Sequence, residues 1–165
     1  MKLYLIIPAL IVIFDQITKF FVRTNMQLGS ESVPVIGGLL RWSYHRNDGI
    51  AFGWFGDMGA RWFLVVLSIL IIIGFIYVIK TRKIDCIWQK LGLAFILGGA
   101  FGNLIDRAIL GHVVDFIDFY RIGFPIFNIA DIFVTVGAGL VITCTIVAAV
   151  REGKSKSESR AESDV

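Results

Sequence analysis

Metal ligands and prolines are scarce in this sequence. It has two histidines, two cysteines and three prolines among 165 residues. Zinc sites need three or four His, Cys or carboxylate ligands at short spacings, and no H-E-x-x-H or similar pattern is present. We therefore predict no metal and no cofactor. Cys86 falls between two apolar runs and Cys144 lies within another, so a disulfide between them is not expected.

Charge is also scarce. Charged residues make up 18% of the chain, while hydrophobic residues make up 56% and the mean hydropathy is +0.77. Soluble domains average about 25% charged residues and about half apolar ones. The net charge of +3 comes from clusters beside the apolar runs, so we predict no nucleic-acid partner. This composition indicates an integral membrane protein.

Four runs of about 20 mostly apolar residues are long enough to cross roughly 30 Å of hydrocarbon. They cover Leu3 to Val22, Trp62 to Ile79, Trp88 to Ile105 and Pro125 to Val150. Charged residues interrupt the first run and no A-x-A cleavage site follows it, so we interpret it as a retained span and not as a signal peptide. The predicted fold is an all-α membrane protein of four transmembrane helices, with a single domain over residues 1–150. Residues 151–165 mix charge and serine without an apolar pattern and are predicted to be a disordered cytoplasmic tail.

Lysine and arginine positions predict the orientation of the spans. The basic residues beside the predicted inner ends are Lys2, Lys80, Arg82, Lys83, Lys90, Arg151 and Lys154. Both termini and the connection between spans two and three are therefore predicted to be cytoplasmic. The connection over residues 24–61 alternates apolar and polar residues around 41–46 and then turns at 47–49. It predicts a small extracytoplasmic β element and a short amphipathic segment between helices one and two.

Polar groups inside the spans gather at one depth, near the predicted outer surface. They are Asp15 and Lys19 on span one, Asn103, Asp106 and Arg107 on span three, and Asn128 and Asp131 on span four. A charge at the centre of a span costs about 2.5–3.5 kcal/mol on insertion scales, so such groups mark a site or a structural pair. Independent ion pairs have no reason to share a depth, and we predict one polar pocket. An internal ion pair stays open as the main role of Asp15 and Lys19.

Span three also carries Gly98 and Gly102, in a G-x-x-x-G pattern. Such a pattern permits close approach of a neighbouring helix backbone. We interpret the two glycines as packing positions, with contact to a substrate as the alternative.

Asp115 lies between apolar neighbours in VVDFI, which is unusual for an acid in a surface loop. Asp118 is closer to Tyr120 and Arg121 and is predicted to be solvated. Two carboxylates in a partly dry site do not both ionise easily, so one keeps its proton and the other is a base. The chain reverses direction between Asp115 and Asp131, which makes their meeting possible. Such a pair can activate a water and protonate a leaving amine, as acid/base peptide hydrolysis requires.

Other functions find less support in the sequence. Ser68 lies inside span two and neither His45 nor His112 has a serine near it, which disfavours Ser-His catalysis. A transporter also places charges in its spans, but these charges do not continue into the inner halves of the spans. A structural scaffold without catalysis is the third alternative.

Five short motifs carry a family resemblance. They are D-Q-x-T-K at residues 15–19, R-N-x-G-x-A-F-G at 46–53, G-N-L-I-D-R at 102–107, V-V-D-F-I at 113–117 and F-N-I-A-D at 127–131. In this order and over most of the chain up to about residue 150, the sequence resembles the lipoprotein signal peptidase family, signal peptidase II. One departure is Ile50, where many relatives carry a small residue.

The resemblance implies an aspartic endopeptidase of the bacterial cytoplasmic membrane. It would remove the signal peptide of diacylglyceryl-modified prolipoproteins just before the lipid-modified cysteine, and the cyclic peptide globomycin would inhibit it. Asp115 and Asp131 would be the catalytic dyad. The family's other polar residues match Asn47, Asn103, Arg107 and Asn128, with Asp15, Lys19 and Asp106 in support. The partners would be the prolipoprotein and membrane lipid, and residues 53–59 are expected to cover the site as part of a lid.

Overall fold

Four helices form the body of the protein. The computed structural model describes residues 2–29, 32–49, 56–82 and 84–163. The helices are α1 (Leu3–Asn25), α2 (Gly56–Thr81), α3 (Ile87–Leu110) and α4 (Ile129–Ser163). Each contains a segment long and apolar enough to cross a membrane, which confirms the four predicted spans. Residues 50–55 lie outside the described residues, and with them Ile50 and the first part of the expected lid.

The central helix of the bundle is α3, which packs against each of the other three helices. Glycines permit this close packing. A Cβ atom at Gly98 would lie 2.8 Å from Ile11 Cβ on α1, and one at Gly102 would lie 2.6 Å from Asp15 Oδ2. The interpretation of this G-x-x-x-G pattern as a packing motif is therefore confirmed.

A second glycine contact joins α3 to α4. A Cβ at Gly92 would lie 2.6 Å from the Gly137 carbonyl oxygen, and a Cβ at Gly137 would lie 2.6 Å from the Gly92 carbonyl oxygen. Cβ atoms do not approach backbone oxygens this closely, so neither position accepts a side chain unless the two helices move apart. The helix pair that carries most of the candidate site thus depends on two facing glycines.

We expect Gly92→Ala to lower the stability of the folded protein by about 1–3 kcal/mol, the usual range for overpacking. Thermal unfolding in detergent would measure the change. The matched control is Gly74→Ala on α2, where an added Cβ meets nothing within 4 Å. Equal unfolding temperatures for the two variants would contradict the close α3–α4 contact.

A three-stranded antiparallel sheet lies at the end of the bundle that holds the polar groups. Its strands are β1 (Ser32–Ile36), β2 (Leu40–Asn47) and β3 (Val113–Asp118), in the order β1-β2-β3. The predicted β element between the first two helices is therefore present. The third strand comes from the connection between α3 and α4, where no strand was predicted. Val22, Tyr44, Val114 and Phe116 form the buried apolar cluster that holds the sheet against α1.

Two predictions concern the end of the bundle that lies opposite the sheet. The helical backbone of α4 continues to Ser163, into the segment predicted to be disordered. Seven of residues 151–163 are Glu, Lys or Arg, which are good helix formers. The boundary between a domain over 1–150 and a separate tail stays a prediction.

No disulfide was expected between the two cysteines, and the contact between them was not predicted either. Cys86 precedes α3 directly, and its Sγ atom lies 2.6 Å from Cys144 Sγ on α4, with both thiols free. The two residues meet because α3 and α4 run antiparallel, so the start of one helix lies beside the later turns of the other.

Candidate functional site

Asp115 lies in the middle of β3 and is 2% exposed. Its Oδ2 accepts a hydrogen bond from Asn47 Nδ2 at 2.8 Å, and its Oδ1 accepts one from Asn128 Nδ2 at 2.7 Å. Asn47 is placed by the pairing of β2 with β3, in which it lies opposite Val113. Sheet pairing therefore brings the amide of the α1–α2 connection onto a carboxylate of the α3–α4 connection.

Asn128 and Asp131 form the N-terminal cap of α4. The Asn128 backbone N–H donates to Asp131 Oδ2 at 3.1 Å, and the Asp131 N–H donates to Asn128 Oδ1 at 3.0 Å. This reciprocal pattern is that of a capping box, with Asn and Asp in place of Ser/Thr and Glu. The cap fixes the rotamers of both side chains and leaves the Asn128 amide nitrogen free to reach Asp115.

A short backbone pairing places this cap beside β3. The Ile117 N–H donates to the Phe127 carbonyl at 2.8 Å, and the Phe127 N–H donates to the Ile117 carbonyl at 3.2 Å. The chain that leaves β3 thus returns alongside it just before α4 begins. Asn128, which is fully buried, follows directly and faces Asp115.

Behind the two acids lies a buried ion network centred on Lys19, which is 1% exposed. Its Nζ lies 2.8 Å from Asp15 Oδ2 and 3.2 Å from Asp106 Oδ2, and it donates to Asn103 Oδ1 at 2.8 Å. An ammonium group has three N–H donors, so these three acceptors match its capacity. The predicted Asp15–Lys19 ion pair is present, and it is part of a larger network.

The two acids of this network also bind backbone groups. Asp15 Oδ1 accepts from the Ala130 N–H of α4 at 2.9 Å, and Asp106 Oδ2 accepts from the Val114 N–H of β3 at 3.0 Å. A carboxylate beside the N-terminus of α4 is also favoured by the helix dipole. The network therefore ties α1, α3, α4 and β3 together at one point.

Asn103 connects the network to the candidate dyad. Its Oδ1 accepts a hydrogen bond from Lys19 Nζ, and its Nδ2 donates one to Asp131 Oδ1 at 2.8 Å. Its Oδ1 also accepts from Asn128 Nδ2 at 3.1 Å. These contacts fix the Asn103 amide in one orientation, with its NH₂ group towards Asp131.

Arg107 lies half-buried near both carboxylates and interacts electrostatically with Asp131, Asp115 and Asp106. Its Nε is buried and has no hydrogen-bond acceptor among the described residues. Buried guanidinium nitrogens without an acceptor are rare, because desolvation without a compensating hydrogen bond is costly. The side chain therefore places a positive charge beside both acids.

A cavity of about 560 Å³ opens over Asp115. Its lining residues are His45, Arg46, Asn47, Asp48, Gly49, Asp115 and Ile126. Burial raises the pKa of Asp115 to about 6, the charge of Asp131 adds to this, and the hydrogen bonds from Asn47 and Asn128 oppose it. Within the described ranges, no three His, Cys, Asp or Glu side chains are grouped so as to hold a metal ion.

The sequence that forms these four helices and the small sheet matches a known family. The family described as Signal peptidase (SPase) II matches residues 7–147. The chain belongs to the signal peptidase II family. It is therefore a multi-pass membrane hydrolase of a bacterial family of peptidases that process lipoproteins.

Relatives and solved structures agree with this assignment over most of the chain. A lipoprotein signal peptidase of Brevibacillus brevis is 42% identical over 139 residues, covering 84% of this chain and 91% of the relative. One of Shouchella clausii is 41% identical over 150 residues, covering 91% and 97%. Two solved structures described as bacterial membrane enzymes align with TM-scores of 0.80 and 0.81, at 34% and 36% identity. They cover 90% and 88% of this chain, and 90% and 93% of their own chains.

One expectation near the site of this signal peptidase II chain is wrong. Asp118 was predicted to be solvated, but it is 4% exposed. Its Oδ2 lies 2.7 Å from Arg41 Nε and accepts from Ser43 Oγ at 3.4 Å. The reason is the sheet, because Asp118 lies opposite Arg41 in the pairing of β2 with β3. His112 lies in the short loop before β3, and burial together with the positive charge of Arg46 lowers its pKa.

Two residues that support the site were not singled out from the sequence. Gln16 Nε2 donates to Asp106 Oδ1 at 3.0 Å and to the Gly102 carbonyl at 3.1 Å. Arg61 donates from Nε to the Arg107 carbonyl at 3.1 Å and also binds the Ala108 carbonyl. The second contact caps the C-terminal end of α3, where carbonyls lack intrahelical partners. Gln16 stands inside the D-Q-x-T-K motif, so the motif held the signal for it.

Proposed function

We propose that this signal peptidase II chain is an aspartic endopeptidase in which Asp115 and Asp131 form the catalytic dyad. Its substrate is a diacylglyceryl-modified prolipoprotein, cleaved just before the lipid-modified cysteine. The observation that carries the proposal is Asn128, whose side-chain amide binds Asp115 while its backbone N–H and Oδ1 bind Asp131. One buried residue thus sets the position of both carboxyl groups relative to each other.

The surroundings of the two acids support different roles in the reaction. Asp115 is buried and its pKa is raised to about 6, so it is the member that holds a proton. Asp131 lies in the first turn of α4, where the helix dipole favours a negative charge, and it is the base. Asp131 takes a proton from water as the water oxygen attacks the scissile carbonyl carbon, and Asp115 gives its proton to the carbonyl oxygen. When the tetrahedral intermediate collapses, Asp131 gives its proton to the leaving amine, and a hydroxyl proton of the intermediate returns to Asp115.

Arg107 supplies positive charge beside the dyad in this proposal. Its guanidinium interacts with Asp131 and Asp115, and it would stabilise the negative charge that develops on the oxygens of the tetrahedral intermediate. Lys19 holds the Asn103 amide in place, and Asn103 in turn positions the Asp131 carboxylate.

The membrane position of the site follows from charge and apolar surface. The basic clusters predict both termini in the cytoplasm, which puts the dyad near the outer leaflet. Beside the cavity, the segment that follows β3 exposes Ile122 (66%) and Phe124 (53%). Large apolar side chains at this level suit contact with lipid, so the acyl chains of the substrate remain in the bilayer while its scissile bond reaches the cavity.

Cleavage by purified protein tests the proposal. The substrate is a synthetic prolipoprotein fragment with a diacylglyceryl-modified cysteine, compared with the same fragment carrying an unmodified cysteine. We expect cleavage of the modified fragment alone, with a new amino terminus at the modified cysteine by mass spectrometry, and inhibition by globomycin. Cleavage elsewhere, or equal cleavage of both fragments, would overturn the substrate assignment.

The proton on Asp115 predicts the pH dependence of cleavage. Since the protonated form is active and its pKa is about 6, the rate should fall as pH rises through that value. The hydrogen bond from Asn47 favours the ionised form, so Asn47→Ala should move this basic limb to higher pH. The rate measured against pH on the modified fragment checks both statements. Asn25→Ala, at an exposed asparagine at the end of α1, should leave the limb in place, and a limb that moves equally in both variants would contradict the role of Asn47.

A further inference from the structure

The two cysteines of this chain meet far from the candidate dyad. Cys86 Sγ and Cys144 Sγ lie 2.6 Å apart, and both thiols are free and partly exposed. Cys144 is about 20 Å along α4 from Asp131, at a rise of 1.5 Å per residue. Neither sulfur contacts a member of the Lys19 network or of the dyad. The pair therefore has no role in the proposed cleavage.

Cys86 has the surroundings of a reactive thiol. It holds the N-cap position of α3, where the first N–H groups of the helix have no intrahelical acceptor. The contact with Cys144 lowers the pKa of Cys86 most, and the N–H groups of Gln89 and Trp88 and the charge of Arg151 lower it further. A thiolate is the nucleophilic form of cysteine, and helix N-termini and nearby cations favour it. Cys144, inside α4, is the adjacent thiol.

We propose that Cys86 and Cys144 are a reversible thiol pair that peroxide oxidises to a disulfide between α3 and α4. The Cys86 thiolate attacks one peroxide oxygen, which breaks the O–O bond and gives a sulfenic acid and, after protonation, water. The Cys144 sulfur then attacks the Cys86 sulfur, forms the S–S bond and releases a second water. Two thiols lose two electrons and two protons in total, and hydrogen peroxide is reduced to two waters. A dithiol reductant reverses the step by thiol–disulfide exchange.

The place of the pair in the bundle gives this bond a structural consequence. The connection between α3 and α4 joins the two helices at the end that holds the candidate dyad. Cys86 and Cys144 meet at the opposite end, which this connection does not close. A disulfide at Cys86 and Cys144 would therefore close the helix pair at its open end. The facing glycines Gly92 and Gly137 already hold the two backbones close a few residues away.

The test uses the full chain in membrane vesicles, with hydrogen peroxide as oxidant. Free thiols are counted by maleimide alkylation after denaturation, together with the intact mass. We expect two alkylated cysteines before oxidation, none after it in a chain that stays monomeric, and two again after dithiothreitol. Thiols that remain fully alkylatable, disulfides only between separate chains, or irreversible oxidation to sulfinic acid would each overturn the proposal.

Two single variants test which thiol attacks. In Cys144→Ser, the remaining Cys86 should react with peroxide and trap dimedone as a sulfenic acid. In Cys86→Ser, the remaining Cys144 should react at least about tenfold more slowly, since it has no helix N-terminus to favour its thiolate. Equal rates would overturn the assignment of Cys86 as the attacking residue. Cleavage of the lipidated fragment does not enter these measurements, so their outcome is independent of the proposed peptidase mechanism.

Discussion

Asp115→Asn and Asp131→Asn are each expected to lower the rate of lipidated-substrate cleavage by about 10²–10⁴-fold, because general acid/base groups typically contribute this much each. An amide at position 115 has no proton of suitable acidity for the carbonyl oxygen. An amide at position 131 cannot accept a proton from water. Initial rates for the purified variants on the diacylglyceryl-modified fragment measure the loss.

The matched control for this pair is Asp118→Asn. Asp118 is an equally buried acid on the same strand as Asp115, but it pairs with Arg41 and touches neither member of the dyad. Its loss should lower stability while the rate per folded molecule stays within a few-fold of the unchanged protein. Both dyad variants should also still bind globomycin, which separates lost chemistry from lost folding. Substantial cleavage by either dyad variant, or an equal loss in Asp118→Asn, would contradict the assignment.

The four spans were predictable because the membrane sets a simple length requirement. Any helix that crosses about 30 Å needs about 20 apolar residues, and the chain shows this requirement four times. The common depth of the polar groups was also visible, because depth follows from position along a span. Asp15, Lys19, Asn103 and Asp106 do meet in one network, as that argument expected.

The contact between Asn128 and Asp115 was not derivable from span positions. It depends on β3, on the pairing of Phe127 with Ile117, and on the capping box that fixes the Asn128 rotamer. The run VVDFID contains β-branched and aromatic residues and held a signal for the strand, but its partner β2 is over 60 residues earlier in the chain. Sheet pairing at such separation is set by tertiary packing and not by local pattern.

The same limit explains the misplaced acid and the contact between the thiols that was not predicted. Asp118 was predicted to be solvated from its closeness to Tyr120 and Arg121, but its neighbour across the sheet is Arg41. The contact between Cys86 and Cys144 was not visible in the sequence, because one precedes a helix and the other lies inside one. Their contact follows from the antiparallel register of α3 and α4, which Gly92 and Gly137 fix. Position along the spans predicted how deep the polar residues lie, and tertiary packing decided which of them touch.

The second large effect is expected from Lys19→Met. The substitution removes the one cation that lies between Asp15 and Asp106, so two carboxylates are left buried at 0% and 2% exposure without it. Removing one partner of a buried pair costs about 3–5 kcal/mol, because the remaining charge is uncompensated. Asn103 also loses the donor that fixes its amide, and through Asn103 the position of Asp131 loosens. We expect a clear fall in the unfolding temperature in detergent and a loss of cleavage in the fraction that stays folded.

A double variant separates the charge effect from the loss of side-chain volume. In Asp15→Asn with Lys19→Met, one of the two unpaired carboxylates is gone, so the double variant should unfold at a higher temperature than Lys19→Met alone. Lys80→Met is the matched control, since Lys80 is an exposed lysine at the end of α2, and its unfolding temperature should stay unchanged. If Lys19→Met unfolded like Lys80→Met, the network would not hold α1, α3 and α4 together. If the double variant were no more stable than Lys19→Met, the loss would come from packing and not from unpaired charge.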